Sequence, residues 1–193
     1  MDILTGTAPG LEGPRIVLRP LSTLDAEALL AVWTAEEASD WLGMPELSGA
    51  GSAEALIWLL LDMEREGDGL RWSLTLRDSG RVIGSAGFNA WQDSGARRGE
   101  IGCELHPGFW GHGYMTEALR LVLEFGFRKL RLNRIEAQCL RGNERSERLF
   151  NRLGFRKEGL LREYRLTRRG LRDVELYALL RREWESASAE RRS

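Results

Sequence analysis

The chain has 193 residues, a hydrophobic share of 42%, seven tryptophans and a formal charge of −1. That length fits one domain and that apolar share supplies a core, which excludes a disordered or collagen-like chain. No apolar run reaches the ~20 residues that a bilayer span needs, and the opening MDILTGTAPGLEGPR has no apolar stretch of the secretory kind.

The two cysteines, Cys103 and Cys139, lie far apart and form no C-x-x-C pair. A reducing cytoplasm is therefore the expected location. The near-zero charge conceals a segregation. Residues 1–127 carry 9 basic and 19 acidic side chains, net −10, and residues 128–172 carry 15 basic and 5 acidic ones, net +10. Two ligands of opposite sign would suit such a chain, and so would plain solvated surface.

In chain order, residues 1–13 are Gly/Pro-rich and expected as a loose leader, with one domain over 14–186 and a flexible tail from 187. Arg15–Leu21 alternates as a strand. Ser22-x-x-Asp25 resembles a capping signal for a helix over 25–34. A loop over 43–52 precedes a helix over 53–66, with Leu56, Leu59, Leu60 and Met63 at helical spacing. Strands over 71–76 and 81–89 flank the turn Asp78-Ser79-Gly80. After a polar loop, a strand over 100–106 ends at Pro107. A glycine-rich stretch, Gly108–Tyr114, then opens a helix from about Thr116 to Lys129. A strand over 134–139, a helix over 143–153 stopped by Gly154, two strands over 156–166 and 172–179, and a terminal helix over 181–190 complete a single α+β layer fold.

Two segments carry chemistry. In Pro107-Gly-Phe-Trp-Gly-His-Gly-Tyr-Met-Thr116, a glycine loop feeds a helix start, whose free N–H groups and partial positive charge suit a phosphate. No Gly-Lys-Ser/Thr follows, which excludes a P-loop, and the third glycine of a dinucleotide fingerprint is replaced by Thr116. The second segment runs Asn143-Glu-Arg-Ser146 to Phe150 and Gly154-Phe155. Read locally, it is a capped amphipathic helix with a glycine stop.

Together these segments resemble the GNAT acetyltransferase superfamily, and within it the RimJ/RimL type. Further matches are Arg15-Ile-Val-Leu-Arg-Pro-Leu21, Glu100-Ile-Gly-Cys-Glu-Leu105, Leu132-Asn-Arg-Ile-Glu136 and Asp173-Val-Glu-Leu-Tyr-Ala-Leu-Leu180. The resemblance implies a central mixed, mostly antiparallel sheet with splayed parallel strands, flanked by helices. It implies acetyl-CoA as cosubstrate, held by Gly111, His112, Gly113, Tyr114, Met115 and Thr116, by the backbone near Glu104 and Leu105, and by Asn143 and Phe150. It implies direct transfer, with Glu100 as the favoured base (Glu104 or water being the alternatives) and Ser146 as the proton donor to the departing thiolate. Phe150 stands where many relatives have a tyrosine, and phenylalanine cannot donate.

The acceptor implied is a primary amine, either a protein N-terminal α-amine such as that of a ribosomal protein, or a small amine of aminoglycoside kind. A non-catalytic module that docks on RNA or the ribosome is the reading from another class. No metal is assigned, because Cys103, His106, His112 and Cys139 match no zinc spacing. No membrane partner is expected, and oligomeric state is open.

Overall fold

Alternating side chains in the strands sort apolar and polar residues onto the two faces of one sheet. The structure, a computed structural model, describes residues 8–42 and 47–190. Eight strands run β1 (Leu11–Glu12), β2 (Ile16–Pro20), β3 (Leu70–Leu76), β4 (Val82–Trp91), β5 (Arg98–Leu105), β6 (Arg134–Leu140), β7 (Arg156–Thr167) and β8 (Gly170–Leu180). Their order across the sheet is β1-β2-β3-β4-β5-β6-β8-β7. Every neighbouring pair is antiparallel except β5 with β6, which is parallel. A parallel pair needs a crossover, supplied here by α4 (Tyr114–Arg128). The other helices are α1 (Ala26–Thr34), α2 (Glu36–Leu42), α3 (Ala50–Glu66), α5 (Glu144–Leu153) and α6 (Arg181–Glu190). The mixed, mostly antiparallel sheet flanked by helices is the architecture expected.

One face of the sheet is apolar. Ile16, Leu18, Trp72, Leu74, Ala86, Phe88 and Ile101 meet Ala118, Leu119, Val122 and Leu123 of α4, all nearly or fully buried. These α4 positions recur at three- and four-residue spacing, which is why the segment is helical and why one stripe of it is inside. Each such leucine contributes about 1.5–3 kcal/mol by leaving water. On the opposite face α1 and α3 pack together through Leu29, Val32, Trp33, Ala53 and Ile57. The strands beneath them carry polar side chains instead: Ser73, Ser85 and Arg71 are buried, and Glu104 is half-buried.

The capping signal forms as expected. Ser22 Oγ accepts the Leu24 N–H, and the Asp25 carboxylate accepts the Ser22 N–H at 3.3 Å. Asp25 does more than cap. It is 3% exposed, and it accepts both Arg19 Nη1 and Nη2 at 2.8 and 2.5 Å and Ser73 Oγ at 2.5 Å. One carboxylate thus ties β2, the first helical turn and β3.

Three expectations differ from the structure. Residues 8–13 of the expected leader are ordered: Ala8 is 2% exposed, its N–H donates to Glu64 Oε1 at 2.7 Å, the Trp72 indole N–H donates to the Pro9 carbonyl, and β1 pairs with β2. Residues 1–7 lie outside the described residues. The stretch before the 43–52 loop holds a helix, α2, that the sequence reading did not include. Residues 43–46 of the loop are outside the description, and α3 starts three residues earlier than expected, at Ala50.

Asp25→Ala would leave Arg19 and Ser73 without their buried acceptor. The expected loss is about 3 kcal/mol, seen as a lower urea midpoint at unchanged slope. A loss below about 1 kcal/mol would show that Asp25 acts as a surface cap only.

Candidate functional site

The parallel pair is short. β5 and β6 are in register from Arg98 with Arg134 to Ile101 with Ala137, and they part beyond. β5 goes on to Leu105 paired with β4 alone, and β6 to Leu140 paired with β8 alone. A wedge therefore opens inside the sheet. His106 N–H donates to the Ile83 carbonyl, so by alternation the N–H of Glu104 also faces β4, opposite Ser85. Those of Cys103 and Leu105 face the wedge. Of the two backbone donors expected near Glu104 and Leu105, Leu105 has the open one. Glu104 contributes its side chain instead.

The loop that follows β5 folds back under the wedge. Trp110 Nε1 donates to the Leu105 carbonyl at 2.8 Å. Gly111 and Gly113 take φ of +80° and +81°, left-handed conformations that side chains resist. These two glycines turn the chain into α4, which begins with Gly113 as its cap residue and no side-chain cap. The N–H groups of its first turn have no helical partner and point toward the loop. Arg15 secures this corner: its Nη1 donates to the His112 carbonyl at 3.0 Å, and its Nε donates to Glu117 of α4 at 2.9 Å.

α5 forms the other wall. Asn143 Oδ1 accepts the Ser146 N–H at 3.2 Å and starts the helix. Three arginines, Arg145, Arg148 and Arg152, then recur on one side of it. The Arg145 guanidinium lies 3.7 Å from the centre of the Trp110 ring, a stacked cation that closes the gap between α5 and the glycine loop.

These elements enclose a cavity of about 320 Å³. Its lining includes Glu104, Leu105, Gly111, Gly113, Tyr114, Met115, Thr116, Asn143 and Ser146 of the expected site, with the three α5 arginines and, from α2, Ala38 and Trp41. Three expected residues are not in the lining. His112 is exposed and stacks on Tyr114. Phe150 is 4% exposed and packs in the core against Phe155 and Tyr177. Glu100 lies on the polar face, where its two oxygens accept from Asn89 Nδ2 at 3.1 Å and Gln138 Nε2 at 3.0 Å. Of the two stretches that the sequence suggests for the acceptor end of the cleft, 38–53 contributes Ala38 and Trp41 to the lining and 89–99 contributes none of it.

Glu104 is paired. Its Oε2 accepts from Ser85 Oγ at 2.6 Å and from Arg71 Nη2. The β5 side of the cavity therefore presents a carboxylate held in an ion-paired, hydrogen-bonded cluster, and the α5 side presents three arginines. The two charge-segregated parts of the sequence meet there. Both thiols sit in poor surroundings for a nucleophile: burial pushes Cys103 and Cys139 up to about 12. Burial also raises Tyr177, whose hydroxyl donates to Glu175 at 3.1 Å. Among the described residues no group of three or more His, Cys, Asp or Glu is arranged to hold a metal ion. No helix of those residues is long and apolar enough to cross a membrane.

The sequence points to arginines of the basic 128–172 stretch for a phosphate of CoA without singling out Arg145, Arg148 and Arg152, although their spacing on the helix after Asn143 is a visible signal. The sequence reading missed Arg71, Asn89 and Gln138, which only the strand register brings together.

Comparison with known proteins agrees with this geometry. Residues 15–156 match the family described as Acetyltransferase (GNAT) domain. The uncharacterized N-acetyltransferase p20 of Bacillus licheniformis is 36% identical over 171 residues, 88% of this chain and 95% of that protein. The [ribosomal protein uS5]-alanine N-acetyltransferase of Escherichia coli is 29% identical over 131 residues, 68% of each chain. The crystal structure of a GNAT-family acetyltransferase from Bacillus anthracis superposes with a TM-score of 0.78 at 21% identity, over 91% of this chain and all of that one. A matched domain that spans most of the chain, together with a relative of this identity and coverage, makes the protein a member of the GNAT family of N-acetyltransferases, and thus an acyltransferase.

Proposed function

We propose that this protein moves the acetyl group of acetyl-CoA directly to a primary amine, and that a protein N-terminal α-amine is the acceptor. The observation that carries the reading is the single cavity in which an unpaired strand edge, an open helix N-terminus and three arginines converge. The uncapped first turn of α4, with Gly111 and Gly113 before it, suits a pyrophosphate. Arg145, Arg148 and Arg152 suit the remaining phosphate of CoA. The Leu105 N–H suits the thioester carbonyl, where charge develops as the amine attacks.

The reaction needs a neutral amine. Glu100, which stands outside the cavity lining, accepts the ammonium proton through a water. The amine nitrogen then bonds to the carbonyl carbon, the C–S bond breaks, and the thiolate takes a proton from Ser146; the second proton, shed by nitrogen as the amide forms, returns to Ser146 through water, and Glu100 gives its own to solvent. Ser146, which lines the cavity, takes the proton-donor role that the family resemblance implies, Phe150 having no proton to give. A cysteine relay is disfavoured by the raised Cys103 thiol. The uS5-alanine relative acts, by its name, on an α-amine, which favours a peptide terminus over a small polycation.

Thiol release from acetyl-CoA, followed with an alanine-initiated hexapeptide, spermidine and kanamycin, tests the acceptor. The peptide should react fastest; a preference for kanamycin or spermidine would move the acceptor to the small-amine class.

Gly113→Val puts a branched side chain at φ +81° and should weaken acetyl-CoA binding by about tenfold or more in calorimetry while the protein stays folded. Unchanged affinity would remove the pyrophosphate from this loop.

Ser146→Ala should lower kcat by about tenfold or more with acetyl-CoA affinity unchanged, and Cys103→Ala should keep kcat within about twofold. Phe150→Tyr in the Ser146→Ala protein should not restore activity, since position 150 points into the core. Full activity of Ser146→Ala would give the proton to water, and a collapse in Cys103→Ala would mean an acetyl-cysteine intermediate.

A further inference from the structure

Two carboxylates on one strand face, Glu100 and Glu104, stand in different electrical surroundings, and Asn89 is the residue that keeps them apart. Arg71, on β3, is buried. It donates through Nη2 to Glu104, through Nε to Ser85 Oγ at 3.2 Å and through Nη1 to Asn89 Oδ1 at 2.7 Å. A guanidinium has only donors, so the amide must turn its oxygen to Arg71. Its Nδ2 is then left for Glu100, 3.1 Å away.

The same logic repeats on the other side. Arg165 Nη2 donates to Gln138 Oε1 at 2.9 Å, which turns Gln138 Nε2 to Glu100 at 3.0 Å. Each oxygen of Glu100 therefore receives a neutral amide donor whose orientation an arginine fixes. Neither arginine touches Glu100 itself. Its register partner on β6, Glu136, is paired with Arg134 at 2.7 Å. Glu104 is neutralised by an ion pair, and Glu100 is held but not neutralised.

The arrangement needs an empty place between the two carboxylates. Gly102 supplies it. A Cβ there would collide with the Asn89 amide, 2.8 Å from Nδ2 and nearer still to Oδ1. Glu-x-Gly-x-Glu on one strand is thus two acids with a seat for an amide between them.

We propose that Asn89, seated over Gly102, is a positioning residue for Glu100. It keeps the Arg71 charge on Glu104 and aims the unneutralised Glu100 carboxylate at the acceptor amine, with Gln138 fixing the second oxygen. The proposal rests on the reading of Glu100 as proton acceptor.

Asn89→Asp tests it with little change of shape. Aspartate keeps the partner for Arg71 but presents a second anion, without a donor, to Glu100. With acetyl-CoA and the alanine-initiated hexapeptide, kcat should fall about tenfold or more at an unchanged acetyl-CoA KM. In the Glu100→Gln background the same substitution should change kcat by less than about twofold, because its effect passes through Glu100. Gly102→Ala, which displaces the amide from the other strand, should give the same pattern. Equal losses in both backgrounds would overturn the proposal and leave Glu100 as base. Full turnover by Glu100→Gln would overturn the base assignment and the proposal with it. A readout that needs no turnover completes the test: Glu100→Gln should shift the side-chain amide resonances of both Asn89 and Gln138, and unmoved resonances would contradict the contacts.

Discussion

The parting of β5 from β6 is the constraint on which the rest depends. Four residue pairs hold the two strands parallel, and beyond Ile101 and Ala137 each strand follows its antiparallel partner instead. Backbone groups left unpaired inside a protein are costly unless something meets them. Here the Trp110 indole meets the Leu105 carbonyl, and the outward N–H groups of β5 face a cavity. The wedge thus turns a liability of the sheet into a place for an extended ligand. It also sets where the crossover helix must start, because α4 returns from the end of β5 to the start of β6. That puts the open helix N-terminus at the mouth of the same wedge.

The wedge also divides the chain electrically. β5, before it in sequence, places Glu104 in the lining, and α5, after it, brings Arg145, Arg148 and Arg152. The polar face under α1 and α3 is part of this division. Its residues are not scattered: Arg71, Ser85, Asn89, Glu104, Glu100, Gln138 and Arg165 form one hydrogen-bonded run across five strands. Such a run holds side chains in single orientations because each member has a fixed donor or acceptor to satisfy.

β2 to β8, the 78–80 hairpin turn, α4 and α5 were legible in the sequence because alternation, glycine stops and three-to-four spacing all act locally. α2 was not. Glu36–Leu42 is short and weakly patterned, and its place follows from tertiary neighbours: it rests against α1, and Asp40 pairs with Arg169 of the β7–β8 turn. β1 was hidden in a Gly/Pro-rich stretch because two residues carry no period. The glycine loop and the Asn143–Ser146 start were visible as motifs, and membership of an enzyme family displaces the non-catalytic module reading. Phe150 was assigned to the site on resemblance, but its ring serves the core, since an apolar side chain beside Phe155 and Tyr177 gains more by burial than by lining a polar cavity. The roles of Arg71, Asn89 and Gln138 could not be read in advance. They lie on three strands far apart in sequence, and only the register sets them side by side.

The most direct test of the account is a map of backbone amide resonances in the presence of acetyl-CoA. If the wedge and the α4 start hold the ligand, the amides of residues 111–116 and of Leu105 should shift together and saturate at one affinity, while that of Glu104, bonded within the sheet, moves much less. Shifts confined to the β7–β8 hairpin or to α6, with 111–116 unmoved, would contradict it.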